Sequence, residues 1–465
     1  MRYRFGTILL ALLAVLLSFG CREERLTTGV HRLSFSADTL RLDTLYTRLS
    51  SATARVAVYN RSKEYIRIEA VTLEQTEPKA FRVNVDGRAG TAFSDIRIPA
   101  GDSIFVFVEA TFPEGASDLP EQETALLRFR SGSITDSVRI EAWRLNTDHA
   151  TALVVSRDTL LEGTRPLYIR DSIVVARGAT LRMAPGTHLL MADAARISVY
   201  GNIVAEGTPE APILIEGVRR DNLVTDVNYR LIPGQWEEIR FHSSGSASSL
   251  KNVIIRNGRG GIITEAEQLN LSACRVSNMK GSALTVRSGA ATVINSELSN
   301  TWASTLRVEG ADCHIYYSTL YNAYLFDIRQ GTALSIGKNK AGKPGELVAE
   351  ACVIDGSMTD EFYCDEVSKA TFTDCWLRTA TQLPGTVKAS LPPDSLFLHM
   401  GRDVKKDKYD FVYDFRPLPK APFAAQPATP HKPDADRYGV PRGAVTAWGA
   451  YEPVAEPKRY IGYAR

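Results

Sequence analysis

Apolar residues recur through the middle of the chain in register with an asparagine, and small or polar residues separate them. The asparagines are Asn257, Asn278, Asn300 and Asn322, spaced 21, 22 and 22 residues apart. Three apolar columns follow the same spacing: Leu250, Leu271, Val293 and Ile315; Ile255, Val276, Leu298 and Leu320; and Ile263, Leu284, Leu306 and Ile328. A fixed period of this length predicts a solenoid or a related repeat architecture.

The repeats favour β-structure. Each contains short runs such as VIIRN and SALTV, which favour strands, between Gly, Asn and Ser residues that favour turns. No repeat contains a helix-length apolar stripe of period 3.6. One coil of short strands cannot bury its apolar face alone, so stacked coils must share a continuous core. The pattern therefore predicts a solenoid of stacked β-coils.

The recurrent asparagines have a structural and a functional interpretation. Asparagine tolerates the left-handed backbone conformation of a tight turn, and stacked amides can hydrogen-bond from coil to coil. The alternative is that the four side chains bind sugar. Regular spacing is what stacking demands, so we interpret Asn257, Asn278, Asn300 and Asn322 as a structural ladder.

Residues 30–148 form a separate predicted domain. About seven alternating runs are separated by turn signals such as VDGRAG and PAGDS. Ile104, Val106 and Val108 alternate with other residues, as do Val138 and Ile140, which predicts one buried face on each sheet. Seven short strands in this length are typical of an immunoglobulin-like β-sandwich. Residues 147–163 are the expected junction with the repeats.

Residues 155–395 resemble a right-handed parallel β-helix of the pectate-lyase-like kind. The strings GATLRMAPG, VYGNIVAEG and PEAPILIEG each predict a strand followed by a turn, similar to the opening coils of bacterial β-helix proteins. The segment DADRYGVPRGAVTAWGAYE is similar to their D-x-x-G-x-x-R…GAYE ending, through Asp436, Gly439 and Arg442. Ala447 and Trp448 depart from the acidic and aliphatic pair usual before GAYE. The resemblance implies an all-β chain.

The amino terminus resembles a lipoprotein signal. Residues 1–21 combine Arg2 and Arg4 with a ten-residue apolar run and end in SFGC, so Cys21 is the expected lipidation site. The alternative is a cleaved secretory signal with an incidental cysteine. Residues 22–29 are a predicted linker, and its charged start is similar to the surface-export signal of Bacteroidota lipoproteins. These features imply an outer-membrane protein anchored by lipid, at the cell surface or, alternatively, on the periplasmic leaflet.

The tail at 396–465 is rich in Pro, Ala and charge and cannot continue regular strands. A solenoid end exposes a sheet edge and an apolar core, which need a cap. We therefore expect an irregular capping segment in which Phe411, Tyr413, Phe415 and Trp448 cover the open end.

Net charge and cysteine content limit the partners and cofactors that the chain is expected to bind. A net charge of +2 over 465 residues argues against nucleic acid as a partner. Five cysteines remain after Cys21, an odd number, and neither they nor the histidines form the short-spaced pairs of a metal site. We therefore predict no metal and no cofactor.

One stretch interrupts the coils and is chemically rich. Residues 219–245 contain Tyr229, Trp236, Arg240 and His242 among several carboxylates, a combination that suits contact with a glycan. The alternative is that Trp236 packs on the solenoid and the charges are solvated.

No carboxylate pair repeats on successive coils, and the charged residues of the regular coils are scattered in sign. We therefore assign no catalytic residues. The predicted function is that of a non-catalytic envelope platform that binds a glycan or an envelope protein, with the membrane reached through the lipid. The alternative is a polysaccharide lyase or glycoside hydrolase of the same fold.

Overall fold

The computed structural model describes residues 32–224, 227–243, 247–403 and 408–453. The predicted signal peptide with Cys21 and the linker at 22–29 lie outside these ranges. The chain divides after Asn146 into two compact units, which we describe in turn. Both consist of β-strands, as predicted. The described part of the second unit also contains two single-turn 3-10 helices, at Tyr229–Leu231 and Pro393–Ser395. Within the described ranges, no helix has the length and apolar character needed to cross a membrane.

The first unit is a sandwich of two five-stranded sheets. One sheet contains, in spatial order, Ser34–Phe35, Ala54–Tyr59, Ser103–Ala110, Phe81–Val85 and Arg88–Gly90. The other contains Thr39–Tyr46, Ile134–Leu145, Glu121–Ser131, Ile66–Gln75 and Ala92–Ile98. Neighbouring strands are antiparallel except Thr39–Tyr46 and Ile134–Leu145, which pair in parallel.

The sandwich has more strands than its sequence pattern predicted. The alternating residues Val106 and Val108 of one sheet and Val138 and Ile140 of the other are buried in one core, as expected. The turn signal PAGDS separates two strands that lie in different sheets, Ala92–Ile98 and Ser103–Ala110. The chain turns between them at Pro99–Gly101, where Gly101 has a φ of 72° that favours glycine.

The second unit is a solenoid of three parallel ladders. Ladder A contains Thr159–Leu161, Thr180–Met183, Asn202–Glu206, Ala247–Lys251, Gln268–Ser272, Ala290–Ile294, Asp312–Tyr316, Glu346–Glu350 and Lys369–Thr373. Ladder B contains His188–Met191, Ile213–Gly217, Val253–Arg256, Arg275–Met279, Glu297–Thr301, Thr319–Asn322, Val353–Gly356, Cys375–Leu377 and Thr386–Lys388. Ladder C contains Arg196–Val199, Ile239–Phe241, Ile262–Thr264, Leu284–Val286, Leu306–Glu309, Leu334–Gly337 and Phe362–Cys364.

The solenoid begins earlier than its sequence indicated. Asp148–Val155, which was expected to be part of a junction, is a strand that pairs in parallel with Leu167–Val175. The second of these strands then begins both other ladders, because its first half pairs with His188–Met191 and its second half with Arg196–Val199. Residues 148–155 therefore belong to the parallel stack.

Two of the three predicted apolar columns lie in the solenoid core. The column of Leu271 and its equivalents lies in ladder A, and the column of Leu298 and its equivalents lies in ladder B, all buried.

The prediction that the third column is buried was partly wrong. In ladder C the buried residues are Ile262, Leu284, Leu306 and Leu334, whereas Ile263 faces outward and Ile328 is 79% exposed. The turn between ladders B and C varies in length from coil to coil. The buried residue of ladder C therefore does not lie at a constant number of residues after the asparagine.

Left-handed residues recur at two places in several of the coils. Asn257, Asn278 and Asn300 have φ values of 71°, 56° and 53° at or just after the ends of ladder B strands, whereas Asn322 does not have a positive φ. The side-chain amides of Asn257 and Asn322 bond to loop carbonyls and to Thr301 rather than to the side chain of the next asparagine. A second left-handed column, between ladders A and B, has no counterpart in the sequence prediction: Asn252, Ala273, Asn295, Tyr317, Ala351 and Asp374.

The tail packs along the outer face of ladder B. Phe397, Phe415, Phe423 and Trp448 share one buried cluster with the outward residues Tyr321, Val353 and Trp376 of three successive coils. The tail then continues back along the ladder, where the Tyr451 hydroxyl donates to Glu297 and Arg442 Nη2 lies 3.2 Å from Asn295 Oδ1. The predicted cap of the open end is thus a cover for the solenoid flank.

The D-x-x-G-x-x-R motif shapes this cover. The Asp436 carboxylate accepts hydrogen bonds from the backbone of Tyr438, Val440 and Glu452, which holds a tight turn. Gly439, with a φ of 84°, occupies that turn. Arg442 Nη1 donates to Glu452 at 2.8 Å and to the Ala447 carbonyl at 2.8 Å. The motif therefore has a structural role in this chain.

Candidate functional site

The outer face of ladder C carries a row of mainly polar side chains, which Ile263 interrupts. Ile239 and Phe241 lie in the core, so Arg240 between them faces outward. Register places Arg240 beside Ile263, Thr285 and Arg307 on the following coils. Adjacent coils lie about 4.8 Å apart, so an extended ligand along this face would meet a new side chain at each step.

A groove of about 400 Å³ runs along this face. Its walls include Glu237, Glu238, Arg259, Arg287, Arg307 and Glu309. Its floor contains glycines, and a Cβ at Gly261 would come within 2.2 Å of the Ala283 carbonyl oxygen. Close packing of coils at this turn therefore excludes side chains and leaves the groove open.

The charges of the groove are paired with one another. Glu237 lies 2.8 Å from Arg259, and Glu238 lies 3.0 Å from Arg240. Glu309 bridges two coils, with its carboxylate 3.4 Å from Arg287 and 2.6 Å from Arg307. These pairs orient the side chains while leaving them partly exposed, so they can donate to or accept from a ligand.

His242 extends the row at one end. Its ring stacks on Tyr200 with centroids 4.2 Å apart and an interplanar angle of 5°. Burial lowers the pKa of His242, and the nearby Arg240 adds to the effect. The ring is therefore neutral near pH 7, when one of its nitrogens is a hydrogen-bond acceptor.

The four predicted glycan-contact residues lie in different environments. Arg240 and His242 lie on the ladder C row. Trp236 is 0% exposed within the solenoid core, where its indole Nε1 donates to the Arg256 carbonyl at 2.8 Å. Tyr229 lies in the 219–235 loop, with the Arg219 guanidinium 3.4 Å from its ring centroid. Trp236 cannot stack on a sugar in this arrangement, so the packing alternative applies to it.

A buried ionic cluster lies beneath that loop and was not predicted from the sequence. Glu216 is 1% exposed, and its carboxylate lies 2.6 Å from Arg220 Nη2, 2.6 Å from Arg256 Nε and 2.9 Å from His188 Nε2. Burial alone would raise the pKa of Glu216, but Arg256 and Arg220 hold it well below its usual range. Burial also lowers the pKa of His188. The cluster fixes the loop to ladder B.

A second buried pair lies farther along ladder B. Arg275 Nε is 2.9 Å from Glu297, whose carboxylate also accepts from Ser299 at 2.6 Å. The loop and the tail together cover much of the outer face of ladder B. Ladder C therefore offers the more accessible polar face.

Four of the five cysteines in the described part of the chain are buried. Burial raises the pKa of Cys274 to about 11 and that of Cys313 to about 12. Cys274 lies in a column of small core residues in which its backbone N–H donates to Ser296 Oγ at 3.0 Å. Across the described ranges, no group of three His, Cys, Asp or Glu side chains is placed to hold a metal ion.

Comparison with known proteins identifies no family. No protein-family model and no curated protein sequence matches the chain. Similar solved structures include a family 123 glycoside hydrolase from Clostridium perfringens, with 9% identity over 25% of this chain and 30% of that one and a TM-score of 0.18. A protein of unknown function from Porphyromonas gingivalis W83 has 17% identity over 28% of this chain and 60% of that one, with a TM-score of 0.18. The Bacillus cereus major pilin subunit BcpA has 11% identity over 28% of this chain and 44% of that one, with a TM-score of 0.17. These likenesses carry no functional argument.

Proposed function

We propose that the protein is a non-catalytic envelope platform whose ladder C groove binds a glycan. The observation that supports this is the set of charged side chains along the groove, where ion pairs orient Glu237, Arg259, Arg287, Arg307 and Glu309 on successive coils. A carbohydrate chain offers hydroxyls at regular intervals, and a repeating set of donors and acceptors suits such a ligand.

The pairing of the groove carboxylates favours binding over hydrolysis. A glycosidase needs one carboxyl group that retains a proton, and an apolar environment supplies this. Glu237, Glu238 and Glu309 are each paired with at least one arginine instead. We therefore assign them a positioning role. The alternative, a carbohydrate-active enzyme, is an outcome of the same experiment.

Arg307→Gln is expected to weaken glycan binding by about tenfold or more, because a hydrogen bond to a charged group contributes about 1.5–3 kcal/mol. The fold should persist, since Glu309 keeps its ion pair with Arg287 and exposed ion pairs contribute little to the free energy of folding. The measurement is an array of neutral and acidic polysaccharides, followed by titration of the best ligand.

Arg182→Gln is the matched control, because Arg182 is exposed on ladder A and carries the same charge. Equal loss of glycan affinity in both variants would show that the site does not lie on ladder C. If no glycan on the array bound, the proposal of glycan binding would be wrong. Release of new reducing ends or unsaturated products would establish the enzyme instead.

We also propose that lipid on Cys21 anchors the protein in the outer membrane, at the cell surface. Cys21→Ser is expected to move the protein from the membrane fraction to the soluble fraction, because a diacyl anchor holds a soluble domain on a bilayer. Fractionation, with mass spectrometry of the mature amino terminus, measures this. Unchanged membrane retention without a lipid mass would contradict the anchor, and protease treatment of intact cells would separate the surface from the periplasmic leaflet.

A further inference from the structure

A second cavity lies at the end of ladder B, away from the ladder C groove. Its volume is about 560 Å³, within the range of small-molecule sites. Three segments form it: the end of the Val353–Gly356 strand with the residues that follow, the end of the Cys375–Leu377 strand, and residues 388–393. None of the predicted glycan-contact residues lines it.

The cavity contains an oriented guanidinium group. Arg378 lines it, and its Nε and Nη2 bind the Asp355 carboxylate, with Nη2 at 3.2 Å from Oδ2 and 2.9 Å from the Leu391 carbonyl. Asp355 is itself buried and accepts from Trp376 Nε1 at 2.9 Å. Within the described part of the chain, Nη1 of Arg378 has no hydrogen-bond partner. The ion pair therefore fixes the guanidinium and leaves one of its nitrogens for a ligand.

A second cation and several hydroxyl groups complete the lining. Lys388 donates to the Ala380 carbonyl at 2.6 Å, and an ammonium group has two further donors. Ser357, Thr359, Thr379 and Ser390 also line the cavity, and its lining contains no acidic side chain. Asp355 balances the charge of Arg378, so Lys388 supplies the net positive charge of the lining. A net positive charge favours an anion, and hydroxyls favour a polyol.

We propose that this cavity binds a small hydroxylated carboxylate, such as the uronic acid unit of an acidic sugar. Arg378 and Lys388 would contact the carboxylate, because guanidinium and ammonium groups both form charge-assisted hydrogen bonds to it. The hydroxyl side chains would contact the sugar hydroxyls. This site is separate from the proposed ladder C groove and does not depend on it.

Calorimetric titration of the whole protein with D-glucuronate, D-glucose and D-glucose 6-phosphate tests the ligand class. Glucuronate is expected to bind at least about tenfold more tightly than glucose, because only its carboxylate can engage the two cations. Equal affinity for glucose, or no glucuronate binding, would overturn the proposal. Tighter binding of glucose 6-phosphate would overturn the carboxylate as the recognised group.

Four variants test the location. Lys388→Gln is expected to weaken glucuronate binding about tenfold, whereas Lys369→Gln, an exposed change on ladder A, should leave it unchanged. Ala380→Trp should block the cavity. The double variant Asp355→Asn/Arg378→Gln should abolish binding without leaving an unpaired buried charge. Melting curves confirm folding for each, and parental affinity in folded Ala380→Trp protein would place the ligand elsewhere.

Discussion

Glu216→Gln is expected to lower the free energy of unfolding of the solenoid by about 3–5 kcal/mol, because it removes the anion from a buried ionic cluster. Arg256 and Arg220 would then keep their charges in a low-dielectric site without the carboxylate that faces them. Urea denaturation followed by circular dichroism measures the loss. Glu267→Gln is the matched control, since Glu267 is an exposed glutamate of the same solenoid.

The same cluster predicts a pH dependence. The folded pKa of Glu216 lies below its unfolded value, so its contribution is present above about pH 4.5 and is lost as the pH falls through the folded pKa. The lowered pKa of His188 acts in the same direction, because the unfolded ring gains a proton below about pH 6.5 that the folded ring resists. Stability should therefore decline from about pH 6.5 downward, and less steeply in Glu216→Gln. Unchanged urea midpoints in the variant would contradict both expectations.

Strand columns could be predicted from the sequence where the spacing between elements is constant. Leu271, Val293 and Ile315 keep one offset from their asparagines, and so do Val276, Leu298 and Leu320, because the path from ladder A to ladder B has the same length in these coils. Between ladders B and C the length changes. Ile262 follows Asn257 by five residues, whereas Leu334 follows Asn322 by twelve.

The left-handed turn between ladders A and B could not be predicted from residue type. Asn252 and Asn295 have side chains that favour this conformation, but Ala273, Tyr317 and Ala351 do not. Coil stacking imposes the conformation on them, since each of these residues donates its backbone N–H to the coil that follows. Tertiary packing therefore overrides the local preference.

The ion pairs of the solenoid were missed although the sequence carries a signal for them. Arg275 and Glu297 are one repeat apart, and so are Arg287 and Glu309. Opposite charges at the repeat spacing lie side by side on adjacent coils, so they are paired rather than scattered. Glu216 and Arg256 are 40 residues apart because the 219–235 loop separates neighbouring coils there, and a fixed spacing cannot find such a pair.

Trp236→Ala is expected to lower the free energy of unfolding by about 3–5 kcal/mol, because it leaves a cavity in the solenoid core. It also removes the donor to the Arg256 carbonyl, next to the Glu216 cluster. Trp302→Ala is the matched control, since Trp302 is a partly exposed tryptophan of the same solenoid. Its replacement should lower the free energy of unfolding much less. Urea denaturation and the polysaccharide array separate the two roles considered for Trp236. Loss of glycan binding at parental stability would mean that the indole contacts ligand, and the core position of Trp236 would then be wrong.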